Sequence, residues 1–185
     1  MSLVDLIAQA DERGLAASGL ACLDRCVPLL GGDDEVLRPL WANLADTDGT
    51  GDWSERLEDA RGKLGRPEEP GDSEATMLAR RMLAAAPDEP SGGPVRVWAD
   101  ACSVAALQIH RLLDLVDDEA SSVDARREGR TDGMSPLVAA ELRRQVTVLE
   151  VLAGHGAGGL RRALEVSVEG RRVLQAVVAR RARLG

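Results

Sequence analysis

Three groups of residues have the types and spacing to do chemistry. The first is acidic: Asp114, Asp117, Asp118 and Glu119, followed by Asp124, Arg126, Arg127 and Arg130. Hard cations take carboxylate oxygens, and Asp114 and Asp118 fall one helical turn apart, so Asp114, Asp117 and Asp118 are the candidate metal ligands. Acids at the C-terminal end of a helix oppose its dipole, so a cation or nearby arginines must compensate them. The second group is the turn Gly154-His155-Gly156-Ala157-Gly158-Gly159, directly ahead of Leu160-Arg161-Arg162. Backbone N–H groups at a helix start can cradle an anion, which makes Gly156, Gly158, Arg161 and Arg162 the candidate anion site. No strand pattern precedes this turn and no Lys-Ser/Thr follows it, as a P-loop requires. A link between two helices needs the same glycines, and that is the expected role. The third group is soft: Cys22 and Cys26 one turn apart, with Cys102 and either His110 or His155, would suit tetrahedral zinc. The spacing matches no zinc finger or ribbon. The expectation is three buried core thiols, with His110 at an outward position of its helix.

Two short resemblances bear on the acidic segments. Residues 115–129, LVDDEASSVDARREG, resemble the first aspartate-rich region of the trans-prenyltransferases. The resemblance implies that paired aspartates and downstream arginines hold a diphosphate through magnesium. Ser121 and Ser122 stand where that family has a further aspartate, no second aspartate-rich motif follows, and the chain is shorter than those enzymes. The expected reading is a solvated acidic turn paired to its own arginines. Asp46-Thr47-Asp48-Gly49-Thr50-Gly51-Asp52 is similar to the first half of an EF-hand loop, but Leu57 occupies the place of the closing bidentate Glu, and Glu55 and Glu58 miss it. A polar inter-helix loop is expected there.

Composition narrows the function classes. The chain has 185 residues, 44% of them hydrophobic and 29% charged, which fits a globular protein of one or two small domains. Its only lysine is Lys63, its only asparagine Asn43, and it has no Phe or Tyr. The preference for Arg and Ala is that of a GC-rich, bacterial coding sequence. Base stacking on aromatic platforms would rest on Trp41, Trp53 and Trp98 alone, which argues against single-strand and RNA readers. Residues 135–185 hold 9 basic and 4 acidic side chains, whereas the preceding residues carry a net charge of −13. Such an acidic body repels nucleic acid and anionic lipid. The start, MSLVDLIAQADE, lacks a basic n-region and no apolar run approaches a span, so a cytoplasmic location is expected.

The elements that must position these residues are helical. Leu3, Leu6, Ile7 and Ala10 form a stripe that Gly14 would end, and Ala16, Leu20, Leu23, Val27 and Leu30 step 4-3-4-3 before Gly31-Gly32. Asp33 or Asp34 would cap a helix carrying Leu37, Leu40, Trp41 and Leu44, and Asp52 a surface helix to Leu64. Five prolines in 65–94 enclose one short helix, from about Asp72 to Ala86, and mark a connector between residues 1–64 and 95–185, unless the whole chain is one domain. Val95, Trp98, Cys102, Ala105, Ile109, Leu112 and Val116 step 3-4-3-4-3-4, the strongest periodicity in the chain, and predict the central helix of the core. Helices follow from Ser135-Pro136 and from Leu160 to Arg183. The fold class predicted is all-α, with about seven helices and a C-terminal antiparallel three-helix bundle against which the N-terminal helices pack.

Catalytic groups are scarce, with two His, three buried Cys, no Tyr and one Lys. The function expected is a non-enzymatic helical interaction or regulatory protein, its partner a protein or a second copy of the chain, with no cofactor, no nucleic acid and no membrane. The alternative is a small metal- or phosphate-dependent helical enzyme using the segment from Asp114 to Arg130.

Overall fold

Helix α2 (Glu12–Cys26) is buried on every side: each of its residues from Gly14 to Cys26 is excluded from solvent. In this computed structural model, which describes residues 1–46, 51–116 and 122–185, the other elements assemble around it. They are α1 (Leu3–Gln9), a 3-10 turn (Val27–Leu30), α3 (Arg38–Ala45), α4 (Trp53–Leu64), α5 (Glu74–Ala84), α6 (Gly92–Leu113), α7 (Val123–Arg127), α8 (Pro136–His155) and α9 (Ala157–Leu184). The described residues contain no strand, so the all-α class holds. Among the described residues nine α-helices form where periodicity predicts about seven; α7, with five residues, is too short to show a period.

The central position belongs to α2, not to the helix over 95–116. α6, α8 and α9 pack against α2, and α6 forms one wall whose outer side leaves Val97 71% exposed. Residue size explains the arrangement. α2 carries Ala16, Ala17, Ser18, Gly19, Ala21 and Cys22, so neighbouring helices can close in on its backbone. A Cβ at Gly19 would lie 2.7 Å from the ring of Trp98, whose indole N–H donates to Met82 O at 2.9 Å and which forms a T-shaped pair with Trp53, ring centroids 6.4 Å apart. All nine helices contribute to one continuous buried cluster, from Leu3 to Leu174.

Several helix ends differ from expectation because a capping side chain outranks a glycine or an aspartate further on. Ser2 and Asp5 form a capping box for α1, which ends at Gln9; Asp11 then caps α2 by accepting from Gly14 N–H at 2.7 Å. Gly14 therefore lies inside α2 and does not terminate α1. Asp33 accepts from Glu35 N–H in a turn and caps no helix, while α3 starts at Arg38, with Pro39 in its first turn where a missing N–H costs nothing. Asp52 and Ser73 cap α4 and α5. α6 stops at Leu113, three residues short of Val116.

Other ends are closed by charged residues from distant elements. Gly92 N–H at the start of α6 donates to Glu12 of α2 at 2.8 Å, and Arg96 of α6 donates to Ile7 O, Ala8 O and Ala10 O at the end of α1. These bonds satisfy orphan donors and acceptors and lock α1, α2 and α6 together.

Candidate functional site

The most chemically loaded part of the molecule lies inside it. Arg25 of α2 forms a two-pronged bond with Glu141 of α8, Nε to Oε2 at 2.9 Å and Nη2 to Oε1 at 2.7 Å. Gln145 donates to Glu141 Oε1 at 2.9 Å, and His110 of α6 places Nε2 3.5 Å from Glu141 Oε2. The opposite ring nitrogen, Nδ1, lies 2.6 Å from Ala106 O and must donate to it, which fixes the neutral tautomer with its proton on Nδ1. Ser103 Oγ donates to Gln145 Oε1 at 2.6 Å and accepts from Arg127 Nε at 3.2 Å, and Arg127 pairs with Asp100 at the surface. A polar chain thus runs from α2 through α8 and α6 to α7. A second buried pair, Asp24 with Arg171, joins α2 to α9, and Trp41 N–H donates to Asp24 at 2.9 Å.

Burial sets the protonation of these groups. It pushes the Glu141 carboxyl up, but the guanidinium of Arg25, the charge that His110 acquires when acid protonates it, and the bonds from Arg25 and Gln145 outweigh it and hold the carboxyl at about 2. His110 is held below its ordinary value, because burial outweighs the nearby carboxylate. Burial also pushes the Cys22 thiol up to about 12 and those of Cys26 and Cys102 well above the usual range, so all three stay protonated. Arg25 Nη2 lies 3.4 Å from Cys22 Sγ. This interior can hold helices in register; it offers no path for a substrate, since Arg25, Glu141 and His110 are each at most 1% exposed.

His110 corrects the expectation of an outward position. The stripe from Val95 to Leu112 is one buried face of α6; Ala99, Ser103, Ala106 and His110, stepping 4-3-4, form a second. His155 is exposed at the far end of α8, and among the described residues no group of three His, Cys, Asp or Glu is arranged to hold a metal.

Of the candidate metal ligands, Asp114 is the C-cap of α6. Its Oδ1 accepts from Val116 N–H at 3.1 Å, and its Oδ2 from Leu137 N–H at 2.8 Å, so it caps α8 from outside. Asp117 and Asp118 lie outside the described residues, as do Thr47, Asp48, Gly49 and Thr50 of the EF-hand-like string. Of the arginines downstream, Arg126 and Arg127 are buried, Arg127 pairs with Asp124 of the same segment at 3.6 Å, and Arg130 is exposed. Arg126 donates to Arg130 O and Asp132 O at 2.9 and 2.6 Å, and closes its own loop. Arg127 serves the core chain, and Arg130 pairs with Glu128 at 2.7 Å.

Of the candidate anion residues, Gly156 has φ +51° and alone links α8 to α9. Gly159 allows close approach, since a Cβ there would lie 2.5 Å from Val151 O. Gly158 and Arg162 share a shallow depression with Val151, His155 and Gly159. Arg161 and Arg162 both pair with Glu165, at 3.6 and 3.2 Å.

The surface holds two features that periodicity does not show. At one end of the molecule, Leu115, Val116 and Leu184 are 68%, 56% and 73% exposed and border a groove of about 280 Å³ floored by Leu113, Leu137 and Val177. Arg180 and Arg181 line it, and Arg181 also donates to Leu113 O at the end of α6 at 3.2 Å. An adjoining depression shares Leu113 and Arg181 and extends the groove past Leu112 and Val178 to Leu29. The other feature is an arginine-lined pocket beside α4 and α5. No described helix is long and apolar enough to cross a membrane. Comparison with protein-family models, curated proteins and solved structures finds no match to this chain.

Proposed function

We propose that the protein is a non-enzymatic interaction module that receives an apolar, acidic segment of a partner protein in the groove formed by the end of α6, the start of α8 and the end of α9. The observation that carries this reading is the gathering of Leu115, Val116 and Leu184 around one groove with Arg180 and Arg181 on its wall. Exposed large apolar side chains scattered singly need no explanation, whereas a patch of them beside a groove is the usual mark of a docking surface. Charge selects the occupant. Among the described residues lining this groove the one carboxylate, Asp114, is taken up by two backbone N–H groups, and Arg180 and Arg181, from the part of the chain with net charge +5, stand on its wall. The scarcity of accessible acid–base groups supports a binding role over a catalytic one.

The test is fluorescence anisotropy with a labelled peptide of ~12 residues built from Leu, Asp and Glu, against a Leu and Lys peptide of equal length. The acidic peptide is expected to bind at micromolar concentration, and Leu184→Asp with Arg180→Glu to weaken it by about tenfold or more. Equal binding of both peptides, or no effect of the variants, overturns the reading. Concentration-dependent dimerisation abolished by Leu184→Asp would overturn it in favour of a second copy as occupant, and binding to anionic vesicles alone would overturn it in favour of a lipid surface.

A further inference from the structure

A pocket of about 390 Å³ opens between the end of α4, residues 65–68 and α5, walled chiefly by Arg61, Arg66, Arg80, Arg81, Glu68 and Leu83. Four arginines border it, in the part of the chain whose net charge is strongly negative. Two of them serve the fold. Arg61 donates to Leu83 O, Ala84 O and Ala86 O at 3.4, 3.1 and 2.8 Å, which closes the end of α5, and pairs with Glu58 at 2.7 Å and more distantly with Asp88. Arg80 donates to Pro67 O at 3.1 Å and pairs with Asp72, yet its Nε is buried with no hydrogen-bond partner. The side chains of Arg66 and Arg81 are exposed and make no hydrogen bond or ion pair among the described residues. A buried donor left open costs about 1–3 kcal/mol, and Arg66 and Arg81 bring two further charges without a partner to the border of the same pocket. Glu68 is the one acidic residue among the described residues that line the pocket.

We infer that this pocket binds a small organic dianion, its charged end held between Arg66 and Arg81 and its carbon body against Leu83 and the alkyl stems of the arginines. Guanidinium forks match the paired oxygens of phosphate and carboxylate, which a point-charge lysine does not. The volume suits a small ligand and leaves room for an organic part. This site lies apart from the α6–α8–α9 groove and does not depend on its role.

Isothermal titration of the whole chain at low ionic strength tests it, with phenyl phosphate, inorganic phosphate and succinate as probes. Phenyl phosphate or succinate is expected to bind more tightly than inorganic phosphate; the tighter of the two assigns the charged end as phosphate or dicarboxylate. Arg66→Ala and Arg81→Ala should each weaken binding by about tenfold, Arg81→Lys should restore only part of it, and Glu68→Gln should tighten it about threefold. Neither Arg66 nor Arg81 holds the fold together, so unchanged thermal unfolding of the variants ties the loss to the site. No saturable binding of any probe below about 10 mM, or binding indifferent to the double variant Arg66→Ala/Arg81→Ala, overturns the inference.

Discussion

Arg25 and Glu141, 116 residues apart in sequence, share two hydrogen bonds with both side chains wholly excluded from solvent. Desolvating two charges costs several kcal/mol each, and their attraction repays this only when the remaining donors and acceptors are also satisfied. Glu141 meets that condition through Gln145, but Arg25 Nη1 is buried without a hydrogen-bond partner. The pair therefore specifies register between α2 and α8 more than it adds net stability.

The two variants Glu141→Ala and Arg25→Ala should each lower unfolding free energy by about 3–5 kcal/mol, because each strands a buried charge. The apolar pair Arg25→Met/Glu141→Leu should recover most of that loss. Urea denaturation of the parent, the two alanine variants and the double variant Arg25→Ala/Glu141→Ala gives the coupling; single variants costing less than about 1 kcal/mol would show that water reaches the pair.

Acid should act on the same cluster in two stages. His110 is neutral in the folded chain and held below its ordinary value by burial, so the unfolded chain takes up a proton that the folded one refuses. Stability is then complete above about pH 6.5 and falls as pH drops below it. Glu141, held at about 2 against an ordinary value of 4.5, contributes stability that is present above pH 4.5 and lost as pH falls toward 2, on the order of 3 kcal/mol. His110→Gln should flatten the stability profile just below about pH 6.5 and leave the part of the lower limb that Arg25 and Gln145 sustain. A profile for this variant that matches the parent would contradict the assignment.

Gly19 and Gly62 should respond in opposite directions to alanine. Both lie inside helices, where alanine is favoured by about 1 kcal/mol. A Cβ at Gly62 meets nothing within 4 Å, so Gly62→Ala should stabilise by up to about 1 kcal/mol. At Gly19 the new carbon would fall 2.7 Å from the Trp98 ring, which Met82 O and Trp53 hold in place, and overpacking should cost about 1–3 kcal/mol net. Thermal unfolding and the tryptophan near-ultraviolet signal read both effects; a stabilised Gly19→Ala would mean that the indole moves freely.

Periodicity predicted the apolar stripes well, since Trp98, Cys102 and Ile109 are buried and Leu112 is partly buried against the core. It misplaced the centre because a long amphipathic stripe such as that of α6 gives a stronger periodic signal than α2, whose burial on all sides comes from small residues with little periodic contrast. The polar core was illegible for another reason. Arg25, Ser103, His110, Glu141 and Gln145 each look like an isolated polar residue on its own helix, and only the packing of α2, α6 and α8 turns them into partners. One signal was available: Ala99, Ser103, Ala106 and His110 repeat at helical spacing beside the main stripe. The caps supplied by Glu12, Arg96 and Asp114 join elements distant in sequence, which local patterns do not report.

Asp114 separates a structural from a metal-binding role for the acidic segment. Its two oxygens already accept from Val116 N–H and Leu137 N–H, and α8 begins with Pro136, which has no N–H to offer, so Leu137 carries the first free donor of that helix. A cation on Asp114 would compete with that cap. Asp114→Ala should therefore cost about 1 kcal/mol and Asp114→Asn much less, because an amide oxygen still accepts from Leu137. Magnesium or calcium at about 1 mM should leave the melting temperature of the parent chain unchanged, because a cation on Asp114 would gain its ligand only by giving up the α8 cap. Calorimetric titration provides the decisive reading: a dissociation constant tighter than about 0.1 mM that is lost in Asp114→Asn, Asp117→Asn and Asp118→Asn would make the segment a metal site and revive magnesium-dependent chemistry there.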